Sequence, residues 1–535
     1  MPTAQFDVVV VGFGPTGQAL ASLLARLGHS VCVFEKAQQL YGQPRLVTLD
    51  GEGARIVQAA GDIEYALRES AETTWYVLEN AAGEPLVKID WSEGGQQHVC
   101  GYPRRIEMFQ PDVEESMDRT GRERGVEVNM GWRVILIEQD EDGVSITAQP
   151  RDSDDDAGSR TVRARYVVGA DGANSLVRTT MGVEREDFDF KDAWLSIDCL
   201  KLHELPEKFQ MPIITVDPGR TRMAARLGPK RMRFELLVNP DEDQSHMLAE
   251  QVGYDFISQY YGLGRDDVEI YRQLVYTFHG KLSHEWRKRR LLLAGDAAHL
   301  MPPFMGQGAC SGLRDAINLA WKLSLVLREV SDDSLLDVYQ EERYPHVRVH
   351  VVGSVELGRI ACERDPVKAA ARDAALASGD PPPSPADPVV ETGVLNLDAE
   401  GTPIAPAGEL ALQAPVRKGD SEGRSDDVLG WGFTVMTRSV DPATVLSDDL
   451  RAFLDLLGAR LVTFGGEGAG ENSAVDLGGG FDAFFDQLGV EAIVVRPDFT
   501  IFGGIGAIEE LPGLVEALRE RLHLRSEALA ETGAA

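Results

Sequence analysis

The sequence predicts an α/β chain: a Rossmann-like domain with a parallel sheet, a β-rich layer inserted into it, and a smaller α/β unit at the C-terminal end. Three observations predict this. FDVVVVGFGPTGQALASLLARLGHSVCVFEK (Phe6–Lys36) reads as strand, glycine turn, amphipathic helix and strand, and the apolar VVVV suits a strand covered on both faces. From about Lys191 to Leu282 the texture changes to short alternating runs such as RMRFELLVN (Arg231–Asn239), until RRLLLAGDAAHL (Arg289–Leu300) returns to a buried strand. Beyond the Pro-rich DPPPSPADP (Asp380–Pro388), strand and helix signals follow in the order βαβαββα.

Further strands are expected at GVSITAQP (Gly143–Pro150) and RARYVVGADG (Arg163–Gly172), and a long helical region runs through Arg359. The first domain is therefore discontinuous, 1–185 and 285–365, with 186–284 as the β-rich substrate layer, 366–392 as a Pro-rich linker and 393–535 as the terminal unit. The element order of that unit is thioredoxin-like. No cysteine follows Cys362, however, so thiol–disulfide exchange is chemically excluded there.

Composition bounds the function. A chain of 535 residues forms two to four domains, and its 43% hydrophobic content is ordinary for a soluble enzyme. A net charge of −33 argues against nucleic-acid partners, because phosphate binding needs concentrated Lys and Arg. The same charge disfavours anionic membranes. No apolar run approaches the ~20 residues that span a bilayer, and no N-terminal signal is expected, because a structural motif already begins at Phe6. The scattered cysteines (Cys32, Cys100, Cys199, Cys310, Cys362) form no CxxC pair and suit a reduced, cytoplasmic setting without structural zinc.

GFGPTG places Gly12, Gly14 and Gly17 directly after a strand and at the opening of a helix, with Glu35 at the end of the next strand. In that context Gly12 makes the turn, Gly14 lets a pyrophosphate approach backbone, and Gly17 permits close helix packing. The helix terminus behind Pro15 favours phosphate, and Glu35, followed by Lys36, reaches the ribose side. Alone, this motif does not separate FAD from NAD. VVGADGANSLVR ends a strand with Asp171-Gly172, and LLLAGD ends another with Asp296, placed to accept hydrogen bonds from a sugar-like chain. A glycine-rich bend follows, with a helix starting around Ser311. Within it, His299 lacks partners at metal-ligand spacing and Cys310 lacks a base, so packing is expected of both; no metal is expected.

Together, GxGxxG with Glu35, VVGADGANSLVR and GDAAHLMPPFMGQG resemble the group A flavoprotein aromatic hydroxylases, the family of para-hydroxybenzoate hydroxylase, over about residues 5–365. GRSDDVLGWGF and VVRPDFTIFGG add a resemblance to the 3-(3-hydroxyphenyl)propionate, phenol and polyketide hydroxylase branch, which often carries a thioredoxin-like C-terminal domain. The resemblance implies bound FAD and transient NADPH or NADH, there being no second strand–GxGxxG–helix unit. It puts Arg45 near the flavin and pyrophosphate, Gln110 on FAD, Asp171 in a motif linked to both nucleotides, and Asp296 on the ribityl chain. The resemblance also implies that Gly306, Gln307, Gly308 and Ala309 lie against the ring, with Pro303, Phe304 and Met305 as a wall of the substrate pocket.

Side chains activate O₂ poorly, so the cofactor carries that chemistry. The implied reaction is hydroxylation of a phenolic ring, such as a hydroxyphenylpropionate-like acid, through a flavin C4a-hydroperoxide. Backbone N–H groups at the GQGACSG helix terminus would stabilise the reduced flavin's negative charge. A base that deprotonates the phenol, His or Tyr through a relay, is not identified by the sequence. Arg220, Arg222, Arg226 and Arg233 read equally as a substrate-carboxylate site and as a solvated sheet face. The alternative is a polyketide-tailoring oxygenase (hydroxylase, epoxidase or Baeyer–Villiger type). A flavin-binding scaffold is the reading from another class, and the terminal domain leaves a homodimer open.

Overall fold

The computed structural model describes residues 4–90, 99–152, 158–379, 389–465, 470–526 and 528. The valine strand Ala4–Val11 lies at the centre of the first eight-stranded sheet. It pairs in parallel with Arg160–Gly169 on one side and Val31–Glu35 on the other, and Val8, Val9 and Val10 are completely buried. The helix Pro15–Arg26 covers one face, with Leu20, Leu23 and Leu24 inward. The chain leaves this sheet after Gly169 and re-enters at Arg287–Lys288, followed by Leu291–Leu293, which runs parallel to Arg160–Gly169. The discontinuity expected from the two buried strands is present.

The second sheet, also eight-stranded, is built around the long antiparallel pair Arg185–Lys201 and Val268–Ser283. One face packs against the helix Glu250–Tyr261, with Ile197, Phe234 and Ile257 in a separate core. The sheet also takes strands from outside 186–284: Trp75–Asn80 and Pro85–Asp90 at one edge, His299–Leu300 at the other. Local alternation marks such segments as strands, but Trp75–Asn80 joins the sheet through Ile213–Val216, more than a hundred residues away. Pairing over that distance leaves no local trace.

The helical region beyond Arg289 resolves into Gly308–Leu327 and Asp337–Ala361. The first starts at Gly308, not near Ser311, because Gln307 takes the capping position directly after the Pro303–Met305 turn. The start of the expected linker is also ordered: Pro366–Ala377 is a helix with Pro366 in its first turn and Asp365 capping Val367 N–H and Lys368 N–H. DPPPSPADP itself lies outside the described residues.

The terminal unit holds a four-stranded sheet in the order Arg460–Thr463, Thr434–Thr437, Ala492–Val495, Ile501–Ile505. The first pair is parallel and the other two antiparallel, with helices Asp448–Leu457, Gly480–Leu488 and Leu511–Arg521 between and after the strands. It is a small α/β domain without a cysteine. A buried ionic cluster fastens it to the two long helices: Arg496 bonds both Glu342 (2.8 Å) and Asp498 (2.5 Å), Lys322 reaches Glu342 at 2.7 Å, and Asn318 and Trp321 both donate to Asp498. Among the described residues no helix is long and apolar enough to cross a membrane.

Candidate cofactor and substrate site

A cavity of about 2170 Å³ opens between the C-terminal ends of the first sheet's strands and the inner face of the second sheet. An ordinary ligand site holds roughly 300–1000 Å³, so this one has room for a dinucleotide and a substrate together. Every cofactor and pocket residue expected from the resemblance lines it except Gly17; of the four arginines Arg220, Arg222, Arg226 and Arg233, only Arg233 does.

The three fingerprint glycines do different things. Gly12 has φ +101°, and a Cβ there would sit 2.3 Å from the Ala170 carbonyl oxygen. A Cβ on Gly17 would sit 2.3 Å from the Gly12 carbonyl oxygen, so these two glycines are needed for the backbone to close on itself. At Gly14 a Cβ would meet nothing within 4 Å: the space it leaves belongs to the cavity. Gly14 caps the Pro15–Arg26 helix without a side-chain bond, so the first-turn N–H groups keep their capacity for an anion. Glu35 is fixed by the N–H groups of Phe13 (2.8 Å) and Ala37 (2.8 Å), which hold its carboxylate at the cavity edge beside the exposed Lys36.

Asp296 is the clearest ligand-directed group. Its carboxylate opens to the cavity and takes no hydrogen bond among the described residues. Burial by the surrounding protein raises its carboxyl above the usual range, opposed by the charges of His299 and Arg45. Exposed to the cavity and without a partner among the described residues, the carboxylate is free to accept from the hydroxyls of a ligand. The Gly308–Leu327 helix likewise starts at the cavity with no side-chain cap, so its N–H groups at Gly308 and Ala309 face a place where negative charge is favoured. These features fit FAD: an open phosphate cradle, a ribose-side acid, an acceptor for ribityl hydroxyls and a positive helix end for the ring.

Two expected cofactor ligands also bond within the protein. Gln110 is 2% exposed. Its Oε1 accepts from Arg45 N–H (2.6 Å) and Leu46 N–H (2.8 Å), and its Nε2 donates to Glu114. It shapes the loop that carries Arg45, whose guanidinium stacks 4.1 Å over the Tyr41 ring at the cavity mouth. Asp171 accepts from Leu176 N–H at 2.7 Å and so fixes the turn into the next helix, while its Oδ1 stays buried without a partner.

His299 and Cys310 are both buried. His299 Nε2 meets Asp315 at 2.7 Å, and Asp315 also binds Gly295 N–H and Arg343. Burial pushes the Cys310 thiol up to about 12, the wrong direction for a nucleophile. Phe304 lies edge-on to Phe190 (5.9 Å) and Trp194 (5.8 Å), which pins the Pro303–Met305 turn to the second sheet.

The arginines of that sheet are neither solvated nor free. Arg220 pairs with Glu242, Arg222 with Asp217 (2.9 Å), Arg226 with Glu107 (2.7 Å) and Arg233 with Asp198 (2.7 Å). Arg233 and Arg272 share Asp198 and donate to the Pro44 carbonyl, clamping the loop that bears Arg45. Sequence reasoning missed Ser196, Glu235 and His350, all of which line the cavity. His350 is buried with both ring nitrogens unpartnered, and burial together with Arg314 and Arg343 pushes it down to about 3, so its imidazole is neutral. The alternation in RMRFELLVN does place Arg231, Arg233 and Glu235 on one face of the strand. Only the second layer covering that face turns it into a site.

The family described as FAD binding domain matches residues 5–353. The chain belongs to that family. It is a group A flavoprotein hydroxylase, an FAD-dependent monooxygenase acting on an aromatic substrate. Residues 408–521 match the family described as HcaD C-terminal domain. The protein is 34% identical over 520 residues to a probable NADH-specific resorcinol 4-hydroxylase of Rhodococcus jostii, covering 96% of this chain and 94% of the relative. It is 32% identical over 540 residues to a 3-(3-hydroxy-phenyl)propionate/3-hydroxycinnamic acid hydroxylase of Mycolicibacterium smegmatis, covering 97% and 94%. Among solved structures, the fold is similar to the flavin-dependent monooxygenase PieE in complex with FAD and substrate (TM-score 0.81, 21% identity, 98% of this chain and 100% of that one). It is also similar to aklavinone-11 hydroxylase with FAD and aklavinone (TM-score 0.76, 21% identity, 97% and 100%).

Proposed function

We propose that this monooxygenase hydroxylates a small phenol lacking a carboxylate, of the resorcinol class, with NADH or NADPH as the transient reductant. One observation carries the choice: each sheet arginine that could take a substrate carboxylate is already spent on an acid of the protein. Arg104 and Arg105, which also line the cavity, have partners of their own. The wall made by Trp194, Ile214, Met223, Phe278 and Phe304 is apolar, and the name of the Rhodococcus relative points to the same neutral substrate class.

FAD, when bound, supplies the O₂ activation and oxygen transfer that side chains lack. For it, Gly12, Gly14 and Pro15 cradle the pyrophosphate, Glu35 and Lys36 serve the adenosine side, and Asp296 accepts from the ribityl chain. Gly306, Gln307, Gly308 and Ala309 present backbone to the ring. The aromatic wall excludes water from the reacting face. The terminal unit is read as a thioredoxin-like domain with no redox role; its strand order and missing cysteines support that reading. A cytoplasmic location suits five unpaired, buried cysteines.

A polycyclic phenol is the second reading, favoured by the cavity's 2170 Å³. The test is a panel of resorcinol, phenol, 3-(3-hydroxyphenyl)propionate and a polycyclic phenol, with NADH and NADPH compared and products scored by mass. The expected best substrate is resorcinol or phenol; preference for the propionate refutes the neutral-substrate reading.

A further inference from the structure

We infer that Glu235 is the group that takes the phenolic proton of the substrate, with Ser196 as its positioning residue; this rests on the phenol reading above. Glu235 sits in the strand Arg231–Leu237, on the sheet face that lines the cavity. Two residues before it, Arg233 holds the Pro44 and Arg45 carbonyls of the loop at the flavin seat. Two residues after it, Leu237 packs in the cluster with Trp194 and Phe304, the other wall of that seat. Side chains at alternate strand positions share a face about 7 Å apart, so Glu235 lies midway between the two segments that frame the reacting ring. Met223 and Ala225, its neighbours on the next strand, are apolar and line the same space.

The residue is 6% exposed, and Ser196 Oγ donates to its Oε1 at 2.7 Å. Ser196 is its only hydrogen-bond donor among the described residues, which leaves Oε2 to a ligand. The charged groups around it are Arg233 on its own strand, Asp198 on the strand of Ser196, and Arg272 on the far side of that strand. Behind the sheet, the Tyr261 phenol on the helix Glu250–Tyr261 feels its charge. Arg233 forms a 3.7 Å ion pair with Oε1 but bonds Asp198 more closely, at 2.7 Å, so it offsets the charge of Glu235 only in part. Burial raises its carboxyl above the usual glutamate range, which narrows the gap to a phenol.

The step is a proton transfer: the substrate O–H bond breaks, the proton passes to Glu235 Oε2, and the electron pair stays on the phenolate oxygen. That oxygen then donates electron density to the ring carbons ortho and para to it, where oxygen is added. The proton returns to the product.

The test compares wild-type protein, Glu235→Gln and Ser196→Ala, all loaded with FAD, across phenols of graded acidity and from pH 5 to 9. Product formation in Glu235→Gln is expected to fall ~100-fold or more, to lose the acid limb of the pH profile, and to fall less for the more acidic phenols. Ser196→Ala should keep the limb but move it to higher pH, because the carboxylate loses its donor. An acid limb that persists in Glu235→Gln, or a loss equal for every phenol, overturns the inference. If Glu235→Gln does not retain FAD, an unmoved limb in Ser196→Ala overturns it instead. Wild-type protein that hydroxylates no phenol refutes the phenol reading itself, a separate result.

Discussion

Replacing Arg496 with Met is the sharpest perturbation of how the terminal domain is held. Arg496 is fully enclosed and spends its guanidinium on two carboxylates and one carbonyl: Glu342 (2.9 and 2.8 Å), Asp498 (3.1 and 2.5 Å) and Val394 (2.8 Å). With Lys322 it balances the two acids, so the cluster is neutral as a whole. Arg496→Met leaves two buried carboxylates facing one ammonium. Breaking a buried pair in this way costs about 3–5 kcal/mol, or a fall of roughly 1–2 M in the urea midpoint at a slope near 3 kcal/mol per M. The assay is urea unfolding at pH 7 followed by tryptophan fluorescence, since Trp321 donates to Asp498 and lies under Arg496.

The pH dependence has a definite sign. Glu342 and Asp498 are both held below their ordinary values, chiefly by Arg496 acting against the cost of burial. Groups with lowered folded-state values contribute stability above their unfolded pKa, near 4, and lose it as the pH falls. Arg496→Met has already lost most of that contribution. Its deficit relative to the parent should therefore shrink between pH 7 and pH 4, as protonation of Glu342 removes the unbalanced charge. The double variant Arg496→Met/Glu342→Gln should recover part of the loss at pH 7. A midpoint unchanged at pH 7, or a deficit that grows on acidification, refutes the claim that these charges fasten the domain.

Asp296→Ala should weaken FAD retention by about tenfold to a hundredfold, from loss of an acceptor worth roughly 1.5–3 kcal/mol, read as the flavin-to-protein absorbance ratio after gel filtration; unchanged occupancy removes its assigned role. Gly14→Val should fold normally yet bind little FAD, because the added side chain fills cavity space, whereas Gly12→Ala should lower folding stability itself through its contact with Ala170; equal effects of the two on stability would contradict the division of labour. Cys310→Ser should leave hydroxylation within about twofold, and a large loss of turnover with FAD content intact would restore a chemical role for the thiol.

The parts of the fold that were legible in the sequence are those whose cause is local. Val8–Val11 reads as a doubly covered strand because four apolar residues in a row have no solvent face, and GFGPTG reads as a phosphate turn because Gly12 and Gly17 admit no Cβ. Asp296 was legible because an acid at the end of a buried strand needs a reason. Glu235 was not: the alternation in RMRFELLVN gives it a face but not what covers that face. The motifs mark Gln110 and Asp171 as candidate site residues, while their work on the Arg45 loop and on the Leu176–Met181 helix is visible only from their bonds. The buried cluster of Lys322, Glu342, Arg496 and Asp498 joins residues up to 176 positions apart, and nothing in the local pattern pairs them.

The central claim is that this cavity seats FAD and directs oxygen onto a phenolic ring. Its most direct test is incubation of the FAD-loaded protein with NADH, resorcinol and isotopically labelled dioxygen, followed by mass analysis. A trihydroxybenzene carrying one labelled oxygen atom, formed in step with NADH consumption, is the predicted result. NADH consumption that yields only labelled hydrogen peroxide, with every phenol of the panel recovered unchanged, would contradict the account.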